Sequence, residues 1–252
     1  MSLLLSKLII SPLLLLAASL ASRKWGHAIG GILAGLPLTS APISVFLAIE
    51  FGPKFAASAA QGTLIAACAQ AAIAVTYYAL AKRGIMVALS AATVAFILVA
   101  LLAKALTLTL GQTLLAAAAM GTLAIVLVPR RQYAHKVVPV SRWDIPARMM
   151  LILLLVIVVS AIAPRIGAAA SGILAAFPFM VIILTVFAHR FVGPESARMV
   201  MRGLALSLPS FTLFFAVVSY GLPQFSLLIT YSTAVIVGAL TQLITLWIAR
   251  KF

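Results

Sequence analysis

Gly31 to Ala56 reads GILAGLPLTSAPISVFLAIEFGPKFA, and 141 residues later Gly172 to Ala197 reads GILAAFPFMVIILTVFAHRFVGPESA. Ten of the 26 positions are identical with no gap: Gly31/Gly172, Ile32/Ile173, Leu33/Leu174, Ala34/Ala175, Pro37/Pro178, Val45/Val186, Phe46/Phe187, Gly52/Gly193, Pro53/Pro194 and Ala56/Ala197. A shared apolar bias accounts for matched Leu and Ala. It does not place Pro and Gly in the same order at the same spacing. The two stretches are therefore read as an internal duplication, and the rest of the chain is parsed from it.

Composition sets the class. Hydrophobic residues make up 65% of the 252-residue chain and charged residues 8%, with a mean hydropathy of +1.24. A soluble domain carries about 25% charged residues. The sequence predicts an all-α, polytopic membrane protein whose outside is covered by lipid. The net charge of +15 comes from 18 Lys and Arg against Glu50, Asp144 and Glu195. In such a chain basic residues in short loops set orientation and meet anionic headgroups. No arginine-rich tract with interleaved aromatics points to nucleic acid. Cys68 is the single cysteine, so no intrachain disulfide forms.

About 20 apolar residues cross a bilayer. On that ruler the chain divides into nine spans, at about 3–21, 28–50, 54–81, 85–103, 106–129, 147–164, 166–190, 195–221 and 225–249. Residues 3–21 have the look of a cleavable signal, but Arg23 and Lys24 follow at once. The 141-residue offset also maps this run onto 147–164, pairing Lys7 with Arg148 and Ser19 with Ser160. A retained helix is expected. The stretch Ile85–Val128 is too long for one span and is divided near Lys104.

With nine spans, 14 of the 18 basic residues fall on one side and only Lys7, Lys54, Lys104 and Arg165 on the other. By the positive-inside rule the N-terminus lies outside and the C-terminus in the cytoplasm. The predicted units are a four-helix repeat over 1–105, a linker helix with a basic cytoplasmic loop over 106–146, and a second four-helix repeat over 147–252. Each helix is five spans from its counterpart. An odd number means that the copies cross in opposite directions, the inverted-repeat plan common among secondary transporters.

Candidate functional residues follow from that plan. Pro37, Thr39, Ser40, Pro42 and Ser44 sit near the middle of the second span, and Pro178 near the middle of the seventh. Proline removes a backbone donor, and in lipid the freed carbonyls need other partners. Paired mid-span prolines therefore predict broken helices that expose backbone groups to a polar ligand. Substrate-binding candidates are Pro37, Thr39, Ser40, Ser44, Pro178, Thr185, Arg198, Arg202, Ser207 and Ser210. The first copy is the polar wall: Thr39, Ser40 and Ser44 align with Met180, Val181 and Thr185. Arg198 and Arg202, four apart on one helix face, read either as snorkelling to headgroups or as a grip on an anion. Glu50 and His27 are coupling candidates. Gly26, Gly30, Gly31, Gly35, Gly167 and Gly172 are packing positions, because small residues at three- and four-residue spacing let helices approach.

Missing groups weigh against other functions. No span carries a mid-membrane carboxylate, so no acidic proton relay is visible. There is no GxSxG elbow, HExxH, Walker loop or strand-borne GxGxxG, and three carboxylates with three scattered His assemble no metal or acid/base site. No enzyme, cofactor or metal is expected. The expected partners are membrane lipids, anionic headgroups at the cytoplasmic face and a small or lipid-linked substrate. A homodimer or a place in a larger complex fits the small-residue stripes.

The run SGILAAFPFMVIILTVFAHRFVGPESARMVMRGLALSLPSF resembles the small four-span bacterial inner-membrane proteins of the GlpM-like type. The resemblance lies in Gly172-x-x-x-x-Phe-Pro-Phe179, in Val-Gly-Pro-Glu195, and in the Gly-Leu-x-x-Ser-x-Pro that ends at Pro209. It covers about 40 residues of the second copy and, more faintly, Gly31–Ala56. It implies a tandem fusion of two such units around an extra span, and it transfers no functional residues. Two functions compete at this level: a transporter or flippase working between the repeats, and a non-transporting scaffold or accessory subunit of an envelope-synthesis complex.

Overall fold

The computed structural model describes residues 37–129 and 144–251. The expected first span, the start of the second with His27, and most of the basic loop lie outside these residues. Among the described residues the regular structure is helical throughout, with no strand. In chain order the α-helices are α1 Ser40–Phe51, α2 Pro53–Leu80, α3 Ile85–Ala105, α4 Leu110–Leu127, α5 Asp144–Ile166, α6 Ala168–Ala175, α7 Phe179–Phe191, α8 Pro194–Gly221 and α9 Leu227–Lys251. A 3-10 turn, Ala81–Arg83, follows α2. Six segments are long and apolar enough to cross a bilayer, with α6 and α7 counted as one. The protein is an all-helical chain built for a membrane. Ser40–Phe51 and the Leu153–Ile166 part of α5 are shorter apolar helices.

Helix boundaries follow local chemistry. The division near Lys104 falls where expected: α3 ends at Ala105 and α4 starts at Leu110. What starts α4 is a capping box. Thr109 Oγ1 accepts from the Gln112 backbone N–H, and Gln112 Oε1 accepts from the Thr109 backbone N–H. At Gly52 and Gly193 the backbone takes φ of 87° and 125° with ψ near 170°, a region open essentially to glycine alone. The proline that follows each then opens a helix at its first position, where its missing N–H costs nothing. Both helices so started, α2 and α8, are 28 residues long.

The interior is made of small side chains and the outside of large ones. Helix α3 buries Ala88, Ala92, Phe96 and Ala100, and α4 buries Thr113, Ala117, Gly121 and Ala124. Both sets recur every three to four residues, one stripe per helix. Their outer faces carry Met86, Leu98, Leu102, Leu115 and Val126, each more than half exposed. That is the reverse of a soluble bundle. It suits lipid, where association rests on close backbone packing rather than on hiding large apolar groups from water.

Helices α2 and α8 form the centre and run antiparallel. Arg198, near the start of α8, bonds the Tyr78 carbonyl near the end of α2. Ser219, near the end of α8, bonds the Ala57 carbonyl near the start of α2. Helices α3, α4 and α6 pack on α2, and α4, α7 and α9 pack on α8. Helix α6 lies closest: a Cβ built on Gly172 would stand 1.8 Å from the Ala59 carbonyl oxygen, and one on Gly62 would stand 2.0 Å from that of Ala169. Here backbone touches backbone, as the packing role expected for Gly172 requires.

Candidate functional site

The apolar segment Ala168–Phe191 breaks at its proline. Helix α6 stops at Ala175 and α7 starts at Phe179. Pro178 has φ −83° and ψ 56°, and the Phe179 N–H donates to the Phe177 carbonyl at 2.8 Å. This is an inverse γ-turn. It leaves the Ala176 carbonyl without a helical donor, and α2 supplies one, while the Gly172 carbonyl keeps its helical bond from the Ala176 N–H. Gln70 Nε2 donates to the Ala176 carbonyl at 2.6 Å, and Thr63 Oγ1 lies 3.2 Å from both the Gly172 and Ala59 carbonyls. Both side chains are buried. The ring of Phe177 stands edge-on to Phe96 of α3, with centroids 5.0 Å apart.

Beyond the break, α7 is tied to α2 by one polar contact between side chains. Tyr77 Oη and His189 Nδ1 are 2.9 Å apart. Thr185 lies in the seam between them, beside Ile73, Leu89, Thr93, Ile182 and Met201, and this seam leaves no room for a water molecule. The Thr185 hydroxyl donates to the Val181 carbonyl of its own helix.

In the first copy the described residues begin at Pro37, so the first half of the expected broken helix lies outside them. The Pro37 carbonyl accepts from the Ala41 N–H at 2.8 Å, Leu38 and Thr39 form a turn, and α1 begins at Ser40. Pro42 thus occupies the first turn of α1 and interrupts no helical bond. Thr39 is the N-cap residue, but its side chain makes no capping bond. Ser40 and Ser44 are buried, and Ser44 Oγ and Tyr231 Oη of α9 are 2.8 Å apart.

Beside that pair lies a cavity of about 290 Å³, lined by Pro37, Leu38, Ala41, Pro42, Val45, Phe46 and Ile49 with Phe214, Tyr231 and Val235. The sequence placed a polar site between the second and seventh segments. This cavity lies between α1, α8 and α9, and of the substrate-binding candidates its lining includes Pro37. Its walls are apolar apart from the tyrosine hydroxyl. Removing both hydroxyls with Ser44→Ala and Tyr231→Phe tests the pair. A double-mutant cycle on thermal unfolding in detergent is expected to give a coupling of about 1 kcal/mol, whereas additive single effects would show that the contact contributes nothing.

Arg198 and Arg202 do lie on one face of α8, as their spacing predicts, and both serve helix ends. Arg198 Nε donates to the Tyr78 carbonyl at 2.9 Å, near the last turn of α2. Its Nη1 is 3.0 Å from Glu195 Oε1, and its guanidinium lies 5.0 Å from the centre of the Tyr78 ring. Arg202 Nη1 donates to the carbonyl of Val128, the C-cap residue of α4. A cation at a helix C-terminus meets orphan carbonyls and the negative end of the helix dipole. Lys82 joins Glu195 at 3.6 Å. The guanidinium donors described here are thus spent on carbonyls and a carboxylate of the protein itself. Glu50 is exposed at the far end of α1.

Of the remaining candidates, Ser210 joins two helices and Ser207 turns back on its own. Ser210, fully buried, donates to the Gly238 carbonyl of α9 at 2.7 Å, and Ser207 donates to the Leu204 carbonyl one turn back in α8. The latter lies just before Pro209, inside α8. Sequence reasoning passed over Gln70, Thr63, Tyr77 and Tyr231. The signal for Gln70 was available: a glutamine deep in an apolar 28-residue segment needs a partner within the bundle. Among the described residues no group of three or more His, Cys, Asp or Glu is placed to hold a metal ion. No family model, curated protein or solved structure matches this chain.

Proposed function

We propose that the protein is a small membrane transporter or flippase, moving a small polar or anionic solute or a lipid-linked headgroup by alternating access between two inverted repeats. One observation carries this reading. The unit α1–Gly52–Pro53–α2 and the unit α7–Gly193–Pro194–α8 have the same plan, and their 28-residue helices run antiparallel through the centre. The proline-broken α6–α7 segment adds to it, because discontinuous helices at a repeat interface are the usual site-forming element of such folds. The nine-span count, an outward N-terminus and cytoplasmic C-terminus, residence in a bacterial inner membrane and the GlpM-like resemblance belong to the same proposal.

Topology tests it first. Single cysteines at Lys54 and Lys82, in a background where the buried Cys68 is replaced, are expected to label from outside and inside respectively. Gly52 and Gly193 positions must label from opposite faces; labelling from the same face ends the inverted-repeat argument. Purified protein in liposomes then tests transport against anions and lipid-linked carriers.

A second reading, a non-transporting scaffold or accessory subunit, draws support from the closely packed interior, where Thr185 and Ser207 return their hydroxyls to their own helices. It predicts a stoichiometric partner on co-purification. It also predicts loss of function when Gly62 or Gly172 is enlarged but not when Ser44 or Tyr231 is changed.

A further inference from the structure

Helix α7 is held differently from its neighbours in the chain. Helix α6 is pinned to α2 by backbone contact at Gly62 and Gly172 and by the bond from Gln70 to the Ala176 carbonyl. Helix α8 is pinned to α2 near both ends, through Arg198 and Ser219. Helix α7 packs chiefly on α8, and its tie to α2 is the 2.9 Å contact between Tyr77 Oη and His189 Nδ1. Non-helical joints bound it on both sides. At Pro178 the Phe179 N–H bonds the Phe177 carbonyl instead of one four residues back, and at Gly193 the backbone takes φ 125° and ψ 175°. Hinges are element-terminal residues of this kind, which absorb changes in φ and ψ. The outer face of α7 carries Ile183, Leu184, Phe187 and Phe191, exposed apolar side chains that fluid lipid can follow.

We propose that α7 is a gate that swings at Pro178, with Gly193 giving at its other end, and that the Tyr77–His189 contact latches it shut against α2. The seam behind it is closed to water and carries Thr93 and Thr185 among apolar residues. Ala92 of α3 and Thr185 of α7 both line it, and each is 1% exposed. Polarity sets the direction of opening. Tyr77 is buried, and a buried hydroxyl that loses its partner costs free energy unless water meets it. His189 is half-buried in the last turn of α7, so water reaches the latch first and the hinge at Pro178 last. Gln70, Ile73 and Tyr77 share one face of α2 by their spacing. An opened seam therefore leads from the latch toward the break, where Gln70 holds the Ala176 carbonyl. That this motion serves alternating access rests on the transporter reading above; the motion itself does not.

The test uses full-length protein in nanodiscs, in a Cys68→Ala background, and follows the rate at which a small water-soluble methanethiosulfonate modifies Thr185→Cys. Slow modification is expected while the latch is intact. Tyr77→Phe and His189→Leu, which remove it, should each speed the reaction about three- to tenfold, the range that one hydrogen bond of ordinary net strength gives. Ala92→Cys is the reporter if Thr185→Cys does not fold. Ala117→Cys, in the buried stripe of α4, should keep its rate in every variant, and Ser210→Ala, which removes an α8–α9 bond, should not speed Thr185→Cys. A reporter that stays unmodified once the latch is gone, equal rates with and without the latch, or a parallel rise at Ala117→Cys overturns the gate. Transport in liposomes separates the gate from the transporter reading. Bridging Tyr77→Cys to His189→Cys with a short bifunctional thiosulfonate should stop transport, and reduction should restore it. Transport that continues with the bridge formed overturns the gate and leaves a transporter. Latch-dependent modification without transport of any anion or lipid-linked carrier removes the transporter reading and leaves the moving helix.

Discussion

Gly172→Ala is expected to destabilise the bundle by about 3 kcal/mol or more, at the upper end for overpacking. The added Cβ would stand 1.8 Å from the Ala59 carbonyl oxygen, with the Thr63 nitrogen at 3.0 Å. These are backbone atoms, so no rotamer change relieves the clash and the two helices must separate. Separation also pulls the Gly172 carbonyl from Thr63 and threatens the bond from Gln70 to Ala176. Gly62→Ala meets the Ala169 carbonyl at 2.0 Å on the same helix pair. The two changes should therefore be less than additive, because the first has already opened the contact. Gly203→Ala is the control: it lies in α8, and its Cβ would meet nothing within 4 Å. Helix propensity favours alanine there by about 1 kcal/mol. Unfolding midpoints in detergent measure all three, and a Gly172→Ala protein within about 0.5 kcal/mol of the parent would refute the contact.

Gln70→Leu should lower stability by about 1–3 kcal/mol, the cost of leaving a buried acceptor unanswered. The Ala176 carbonyl sits at the break before Pro178, where the helix supplies no donor and lipid supplies none either. Gln61→Leu provides the comparison. Its Nε2 bonds the Leu108 carbonyl at 2.9 Å, but Leu108 lies in the α3–α4 connection, where water can replace the bond. A loss below about 0.5 kcal/mol is expected there. If transport is established, Gln70→Leu should also reduce it beyond what stability explains, because Gln70 fixes where α7 departs from α6. Equal stability losses for the two glutamines would show that the break is hydrated and that Gln70 does not support it.

The prolines and arginines show where sequence reasoning succeeds and where it stops. Pro178 announced a discontinuity, and the chain has one, because a proline inside a helix removes a donor wherever it folds. Pro42 falls in the first turn of α1. Helix α1 begins two residues before it, in the turn where no donor is needed. Arg198 and Arg202 were placed on one face by their spacing alone, yet spacing says nothing of what that face meets. Only the approach of the C-terminal ends of α2 and α4 turned both residues into caps. Tyr231 carried no sequence signal at all, since its partner Ser44 is 187 positions away.

The sequence by itself determined the class, the joint between α3 and α4 near Lys104 and the two Gly-Pro turns. These depend on local properties: apolar run length, the backbone region open to glycine, and the missing N–H of proline. It also determined that small residues would face inward, because close packing in lipid admits little else. Tertiary structure decided which polar groups meet. It seated α6 against α2 through Gly62 and Gly172, gave the carbonyl at the helix break its donor from Gln70, and set an apolar cavity between α1, α8 and α9. Those outcomes depend on which helix lies beside which. In a chain this uniformly apolar, many neighbours satisfy the same hydrophobic pattern, and a few backbone contacts and hydrogen bonds make the choice.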